Sequence, residues 1–495
     1  MSRSLTRLVA LCGLAACAGG TSGTGSPNAA PRSSEAPRVT IDAGALAGTV
    51  DAGSGVLVFR GIPYAAPPVG RGRWRAPEPV AAWSGVRAAD KLGRNCMQGQ
   101  PFGDIDPYAA GISEDCLYLN VWTASLGGRR PVLVWIHGGG FFAGFGGEER
   151  HHGARLATKG AVVVTLNYRL GPFGFLAHPA FAVESPNGAV GNYGLLDQIA
   201  ALDWVRRNIG RFGGDSSRVT IFGESAGGFS VGSLIASPGA RGLFRSAILQ
   251  SGVGLGRATR ERDSALVDGR RFAEVLGITG SDADVGARLR ALTADSLLAA
   301  FLAGSRPGGR LAGIGTRPAV DGRTLPLPVD SALATGAANF VPVIVGSNSH
   351  ESDEVFGAPA RSFARLMTAR GQRAYVYRFT RVAQDTVNRR EVGALHASEI
   401  TFVFGRPRPI LTQLGVAPFD STLADAMSDY WVAFAAGSDP NGPPAGGKWP
   451  AWPVYDAKTD AYLELGAQIK AGRDLRRALY DSLDAVARTR GGIRP

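Results

Sequence analysis

The sequence predicts an α/β protein: a twisted, mostly parallel sheet with helices on both faces. Two kinds of segment and one junction predict it. Short apolar, β-branched runs such as Val132–Ile136 and Val219–Phe222 read as buried strands. Longer stretches such as Leu195 to Asn208 carry apolar residues at helical spacing. At Gly223-Glu224-Ser225-Ala226-Gly227-Gly228 a strand passes into a helix through a tight turn. The chain has 495 residues, 45% of them hydrophobic and 19% charged, as in a globular protein with a large core. It shows no internal repeat and no heptads. The net charge of +12 is dispersed, mostly on arginine, with no basic block interleaved with aromatics. This excludes a nucleic-acid footprint.

Along the chain, the N-terminus reads as a targeting segment. Arg3 and Arg7 precede the apolar run Leu8 to Leu14. Leu14-Ala15-Ala16-Cys17 resembles a bacterial lipoprotein box, which implies a signal peptide over 1–16 and lipidation of Cys17. An ordinary signal peptide cut at a nearby small residue is the alternative. Residues 17–38, rich in Gly, Ser, Thr, Pro and Ala, read as a flexible tether, and 39–495 as the folded domain. The expected location is extracytoplasmic, with the chain anchored to a membrane and facing the periplasm or cell exterior. Of the four cysteines, Cys12 lies in the leader and Cys17 in the box. The remaining pair, Cys96 and Cys116, suggests a disulfide in an exported protein.

A hairpin is expected around Gly48 to Gly61. The core strands are expected at Val132–Ile136, Ala161–Asn167, Val219–Phe222, Ser246–Gln250, Pro342–Gly346 and Ala374–Phe379. Helices are expected over Leu195 to Asn208, Thr422 to Ala436 and Asp474 to about Ala487. Pro318 to Pro326 reads as a turn.

The turn at Ser225 carries chemistry. A serine on such a turn is held in a strained backbone conformation with its hydroxyl above the sheet. A nucleophilic serine needs a base, an acid that orients the base, and donors for the oxyanion. Ala226 opens the helix and offers its N–H. The strand Val132–Ile136 ends in His137-Gly138-Gly139-Gly140, whose backbone can approach a ligand closely. The oxyanion donors are therefore assigned to Gly139, Gly140 and Ala226, and His137 to shaping this loop. Among the six histidines, His151 and His152 follow a Glu/Arg-rich turn and read as a solvated loop.

The stretch from Asn192 to Val231 resembles the type B carboxylesterases, the cholinesterase-like branch of the α/β-hydrolases. Phe59–Ala65, Pro67–Gly70, Glu114–Val121, Ala426–Trp431 and Asp439–Gly442 are similar to further motifs of that family, in the same order. The resemblance implies the α/β-hydrolase fold and a triad running Ser, then acid, then His. Gly393–Gly405 is similar to the family's catalytic-histidine segment and implies His396 as base, with Ala397 where the family has glycine. The family's spacing from Gly346 falls on Glu351, with Ser352 where the family has glycine. Asp353 and Glu354 are the rival acids, and such extra carboxylates are expected to be solvated. In the family, the loop that Cys96 and Cys116 would close rims the active-site gorge. It holds Phe102 and Tyr108 but no tryptophan.

The segment from Glu351 to His396 is short for the family, with one modest helix at Ser362–Ala369, which implies a reduced helical cap and a wide acyl side. Arg260 to Arg310 folding over the site is the alternative. The implied activity is hydrolysis of a small-molecule carboxylic ester through an acyl-enzyme. No metal or organic cofactor is implied. A cholinesterase-like binding or adhesion module and an amidase on the same triad are the competing readings.

Overall fold

The computed structural model describes residues 36–99, 110–185, 188–256, 259–408 and 413–489. The leader, Cys17, most of the tether, Phe102 and Tyr108 lie outside the described residues. Arg38 already opens a strand.

Eleven strands form the main sheet. In chain order they are β1 (Thr49–Val50), β2 (Leu57–Pro63), β3 (Tyr118–Thr123), β4 (Arg130–Ile136), β5 (Val162–Leu166) and β6 (Gly214–Glu224). They continue as β7 (Ser246–Gln250), β8 (Val343–Asn348), β9 (Ala374–Phe379), β10 (Tyr462–Leu465) and β11 (Ile469–Gly472). The spatial order is β11-β10-β9-β8-β7-β6-β4-β5-β3-β2-β1. From β5 through β4 to β10 every neighbouring pair is parallel. The outer pairs β1/β2, β2/β3, β3/β5 and β10/β11 are antiparallel. The six expected core strands are thus present, Ser246–Gln250 and Ala374–Phe379 with the expected bounds and the other four with ends shifted by a few residues. β3, β10 and β11 were not anticipated.

Strand periodicity explains the layers. In β4, Val132, Val134 and Ile136 face one side of the sheet and Leu133 and Trp135 the other. The first side is covered by α1 (Tyr193–Asn208), α2 (Ala226–Ala236) and, further along the chain, the helix Ala358–Ala369, through Leu202, Val205, Leu234, Phe363 and Met367. The second side is covered by the helix Asp420–Gly437, through Met427, Tyr430, Trp431 and Phe434. Both faces of the central strands are therefore dry, as a parallel sheet requires.

The segment Arg260 to Arg310 supplies α3 (Arg262–Val275), α4 (Asp282–Ala291) and α5 (Ala294–Gly304). Phe272, Leu289, Leu297 and Phe301 pack there with Trp74, Phe173 and Phe181 in a separate apolar cluster. Between Glu351 and His396 lie one π-helical turn (Asp353–Gly357), α6 (Ala358–Ala369), β9 and a small hairpin, Ala383–Asp385 with Arg390–Val392. The long helix Asp420–Gly437 is α7 and the C-terminal helix Arg477–Thr489 is α8. Cys96 and Cys116 form a disulfide across 20 residues. Among the described residues no helix is long and apolar enough to cross a membrane.

Candidate active site

The site stands at the C-terminal ends of the parallel strands, where loops after β4, β6, β8 and β9 converge. Ser225 caps α2 with φ 55° and ψ −119°, a conformation an L-residue adopts only under restraint. Its N–H donates to Gln250 O at the end of β7 at 2.9 Å. The turn is possible only because Gly227 is bare: a Cβ there would run into Ile136 O of β4. Ser225 is half-buried, leaving the hydroxyl approachable.

The glycine loop lies directly against this elbow. A Cβ on Gly138 would come 2.8 Å from Glu224 O and 3.3 Å from Ser225 Cβ. Gly139 and Gly140 hold φ 99° and 65°. Among the described residues, the N–H groups of Gly139, Gly140 and Ala226 donate to no protein acceptor, so three backbone donors are left for a ligand. His137 is buried beneath them. Its Nδ1 lies 2.8 Å from Gly138 O, its ring stacks on Tyr168 at 4.4 Å, and burial lowers its pKa to about 4. It is a neutral support for the loop.

Glu351 and His396 meet as a pair. His396 Nδ1 lies 2.7 Å from Glu351 Oε2. Glu351 Oε1 accepts from Asn348 N–H at 2.7 Å and from Ser251 Oγ at 2.8 Å. Their loops are joined by a β-bridge, with His350 N–H donating to Ala394 O at 2.8 Å. On its other edge, His396 Nε2 lies 3.1 Å from Glu224 Oε1. In this state no hydrogen bond joins it to Ser225 Oγ among the described residues. Phe356 stacks on the imidazole at 4.6 Å, and Phe229 of α2 lies beyond it at 6.5 Å.

The electrostatics follow from burial and three carboxylates. Burial raises the Glu224 carboxyl to about 8. Burial opposes charge on His396, while the neighbouring Glu224 and Glu351 favour it and raise the ring above its ordinary value. Glu399 is raised by burial too, while Asn348 Nδ2 at 2.7 Å and Gln250 Nε2 at 3.1 Å donate to it.

The structure thus brings together Ser225, Glu351, His396, Gly139, Gly140 and Ala226. Two expectations are corrected. Asp353 is not a solvated acid: its carboxylate is bound by Arg378 and Tyr480. Glu354 is exposed. His151 is not solvated either. It is fully buried, 4.9 Å from the Trp135 ring and 5.8 Å from Phe404, because its turn packs onto the central strand β4. His152 is partly buried, 3.7 Å from Asp51. Glu224, Ser251, Asn348, Phe356 and Glu399 were not singled out by the sequence. Only Glu224 carries a signal there, a carboxyl two residues after the buried run Val219–Phe222. Among the described residues, no group of three or more His, Cys, Asp or Glu side chains is arranged to hold a metal.

Comparison with known proteins adds an independent line. The profile of the Carboxylesterase family matches residues 35–355 and 351–482. The chain is 35% identical to the fumonisin B1 esterase of Sphingopyxis macrogoltabida, over 85% of each chain. It is 34% identical to the para-nitrobenzyl esterase of Bacillus subtilis (strain 168), over 88% of this chain and 96% of that one. Among solved structures, a PNB esterase superposes with a TM-score of 0.79 at 32% identity, covering 90% of this chain and 99% of the other. A carboxylesterase of Geobacillus stearothermophilus superposes with a TM-score of 0.77 at 33% identity, with the same coverage.

Proposed function

The chain belongs to the carboxylesterase family and is a carboxylic ester hydrolase with the α/β-hydrolase fold, and we propose that it works through a Ser225–His396–Glu351 triad. Ser225 Oγ attacks the ester carbonyl while His396 Nε2 takes its proton. The N–H groups of Gly139, Gly140 and Ala226 receive the oxyanion. Glu351 holds the proton on Nδ1, so that Nε2 is the basic edge. His396 then protonates the departing alcohol. In the second half-reaction it activates a water that hydrolyses the acyl-enzyme. For the first step Nε2 must come within hydrogen-bond reach of Ser225 Oγ while Glu351 keeps its hold on Nδ1.

The observation that carries this reading is the 2.7 Å contact between His396 Nδ1 and Glu351, beside a serine at φ 55°. A fluorophosphonate probe tests it. It should label Ser225 stoichiometrically in the wild type and not in Ser225→Ala, with ester turnover lost in parallel. Labelling elsewhere, or turnover surviving in Ser225→Ala, refutes it.

On substrate, we read the acyl side as broad. The short path from Glu351 to His396 supports this, as does the aromatic pair Phe229 and Phe356 beside the ring. Bulky or aromatic p-nitrophenyl esters should be accepted about as well as acetyl and propionyl esters, and choline esters poorly. A steep preference for the shortest acyl groups refutes it. The leader and Cys17 support export and lipid anchoring, which intact-mass measurement of the mature chain tests. An unlipidated N-terminus refutes the anchor.

A further inference from the structure

Glu351 does not stand on a regular element. After β8 the chain runs through Ser349, His350 and Ser352 into the single π-helical turn Asp353–Gly357, and then into α6. Two residues of this short arc touch His396: Glu351 at Nδ1 and Phe356 on the ring face. Asp353 lies between them, and its carboxylate is fastened from two other elements. Oδ1 accepts from Arg378 Nη1 of β9 at 2.8 Å and from Tyr480 Oη of α8 at 2.8 Å. Oδ2 pairs with Arg476, just ahead of α8. Arg378 Nη1 also donates to Tyr480 Oη at 2.9 Å and to Ser347 Oγ at 3.0 Å, closing a compact network.

The setting is built for this contact. Tyr480 is fully buried, and Arg378 is 5% exposed. A Cβ on Gly357 would collide with both the Tyr480 hydroxyl and the Asp353 carboxylate, so the glycine makes room for their hydrogen bond. α8 is held down on its far side. Arg361 of α6 pairs with Asp484 at 2.8 Å and lies over the Tyr480 ring at 5.4 Å, and Ser362 Oγ donates to Asp484 at 3.0 Å.

We propose that Asp353 is a positioning residue for ester hydrolysis: clamped by Arg378 and Tyr480, it fixes the arc 351–357, so that the Glu351 carboxylate and the Phe356 ring both meet His396. This deepens the proposed triad and rests on it. A carboxylate two residues from the acid, bonded to a β-strand and to the C-terminal helix, sets where that acid can stand. Displacement of a catalytic group by about 1 Å is enough to lower turnover severely.

The test uses the full chain, with active sites counted by fluorophosphonate titration. Asp353→Asn removes the charge, and Tyr480→Phe removes one donor. Asp484→Asn loosens α8 from α6 without touching Asp353. Asp353→Asn should lower kcat per titrated site about tenfold, which is about 1.4 kcal/mol at the barrier, with KM within about twofold of wild type. Tyr480→Phe should lower it severalfold in the same pattern. Asp484→Asn should lower Tm while kcat per site stays within about twofold. The proposal is overturned if kcat per site is unchanged in Asp353→Asn, or if kcat falls in all three variants in proportion to Tm. If Asp353→Asn fails to fold, Tyr480→Phe decides by the same criterion. Failure of the triad itself reads out separately, as labelling that persists in Ser225→Ala.

Discussion

Replacing Glu351 by glutamine tests the triad at its most constrained point. The carboxylate receives three donors: His396 Nδ1 on Oε2, and Asn348 N–H and Ser251 Oγ on Oε1. Glutamine offers one acceptor and one NH₂. The Asn348 N–H is backbone and cannot reverse, so the amide oxygen goes to that side and the NH₂ faces Nδ1. Nδ1 must then accept, and the ring proton moves to Nε2, where Glu224 Oε1 waits at 3.1 Å. That tautomer cannot take a proton from Ser225. The opposite amide orientation restores the tautomer but sets NH₂ against a buried N–H, at about 1–3 kcal/mol. The competent ring is thereby cut to roughly one in five to one in a hundred and sixty. The lost charge on the imidazolium adds to this, and Ser-His-Asp enzymes with the equivalent change lose about 10⁴ in kcat. Glu351→Gln should therefore lower kcat by roughly 10³–10⁴-fold on a p-nitrophenyl ester, with an unchanged circular dichroism spectrum. A loss of less than tenfold would refute the assigned role.

Three further outcomes are expected. Glu224→Gln removes a carboxylate that favours the charged His396 ring. Since the neutral ring is the base, the acidic limb of the kcat/KM profile should move to lower pH, and a limb that stays or rises counts against the pairing. Ala397 sits at φ 66°, so Ala397→Gly should relieve strain and stabilise the fold by about 1 kcal/mol, read as a higher denaturation midpoint; a lower one contradicts this. Opening the Cys96–Cys116 bridge by double substitution to serine should cost about 3 kcal/mol for a loop of this size, read as a lower Tm, whereas an unchanged Tm would mean the loop is held by its packing alone.

Much of the fold was legible because its signals are local. Val219–Phe222 followed by Gly223 and Gly227 announces strand, elbow and helix within a dozen residues, and Ser225, Ala226 and the Gly138–Gly140 loop come with them. Glu351 and His396 needed the family resemblance, because a carboxylate after a strand and a histidine in a loop carry no mark of their pairing. The substitution of Ala397 for the family's glycine could be seen in sequence, but not that the residue keeps the left-handed backbone. What stayed hidden was set by distance along the chain. Asp353 looked like one of several solvated acids because Tyr480, its partner, is 127 residues away. Ser251 and Glu399 likewise gain their roles only when β7 and the histidine loop meet β8. β10 and β11 were missed because each has only four residues, too few to establish a period.

The outermost strands have a bearing on solubility. A sheet of eleven strands ends in two rows of backbone groups able to recruit another chain. Here one margin is β1, two residues long, too brief to template a partner. The other is β11, with only four residues. It turns back antiparallel, ends at Gly472, and carries the exposed Lys470 paired with Glu464 at 3.5 Å. A neighbour that docked there would have to accommodate a charged side chain for the sake of a few hydrogen bonds. The wide, hydrophobic interior of the sheet is thus guarded against edge-to-edge growth by the brevity of one border and the charge on the other.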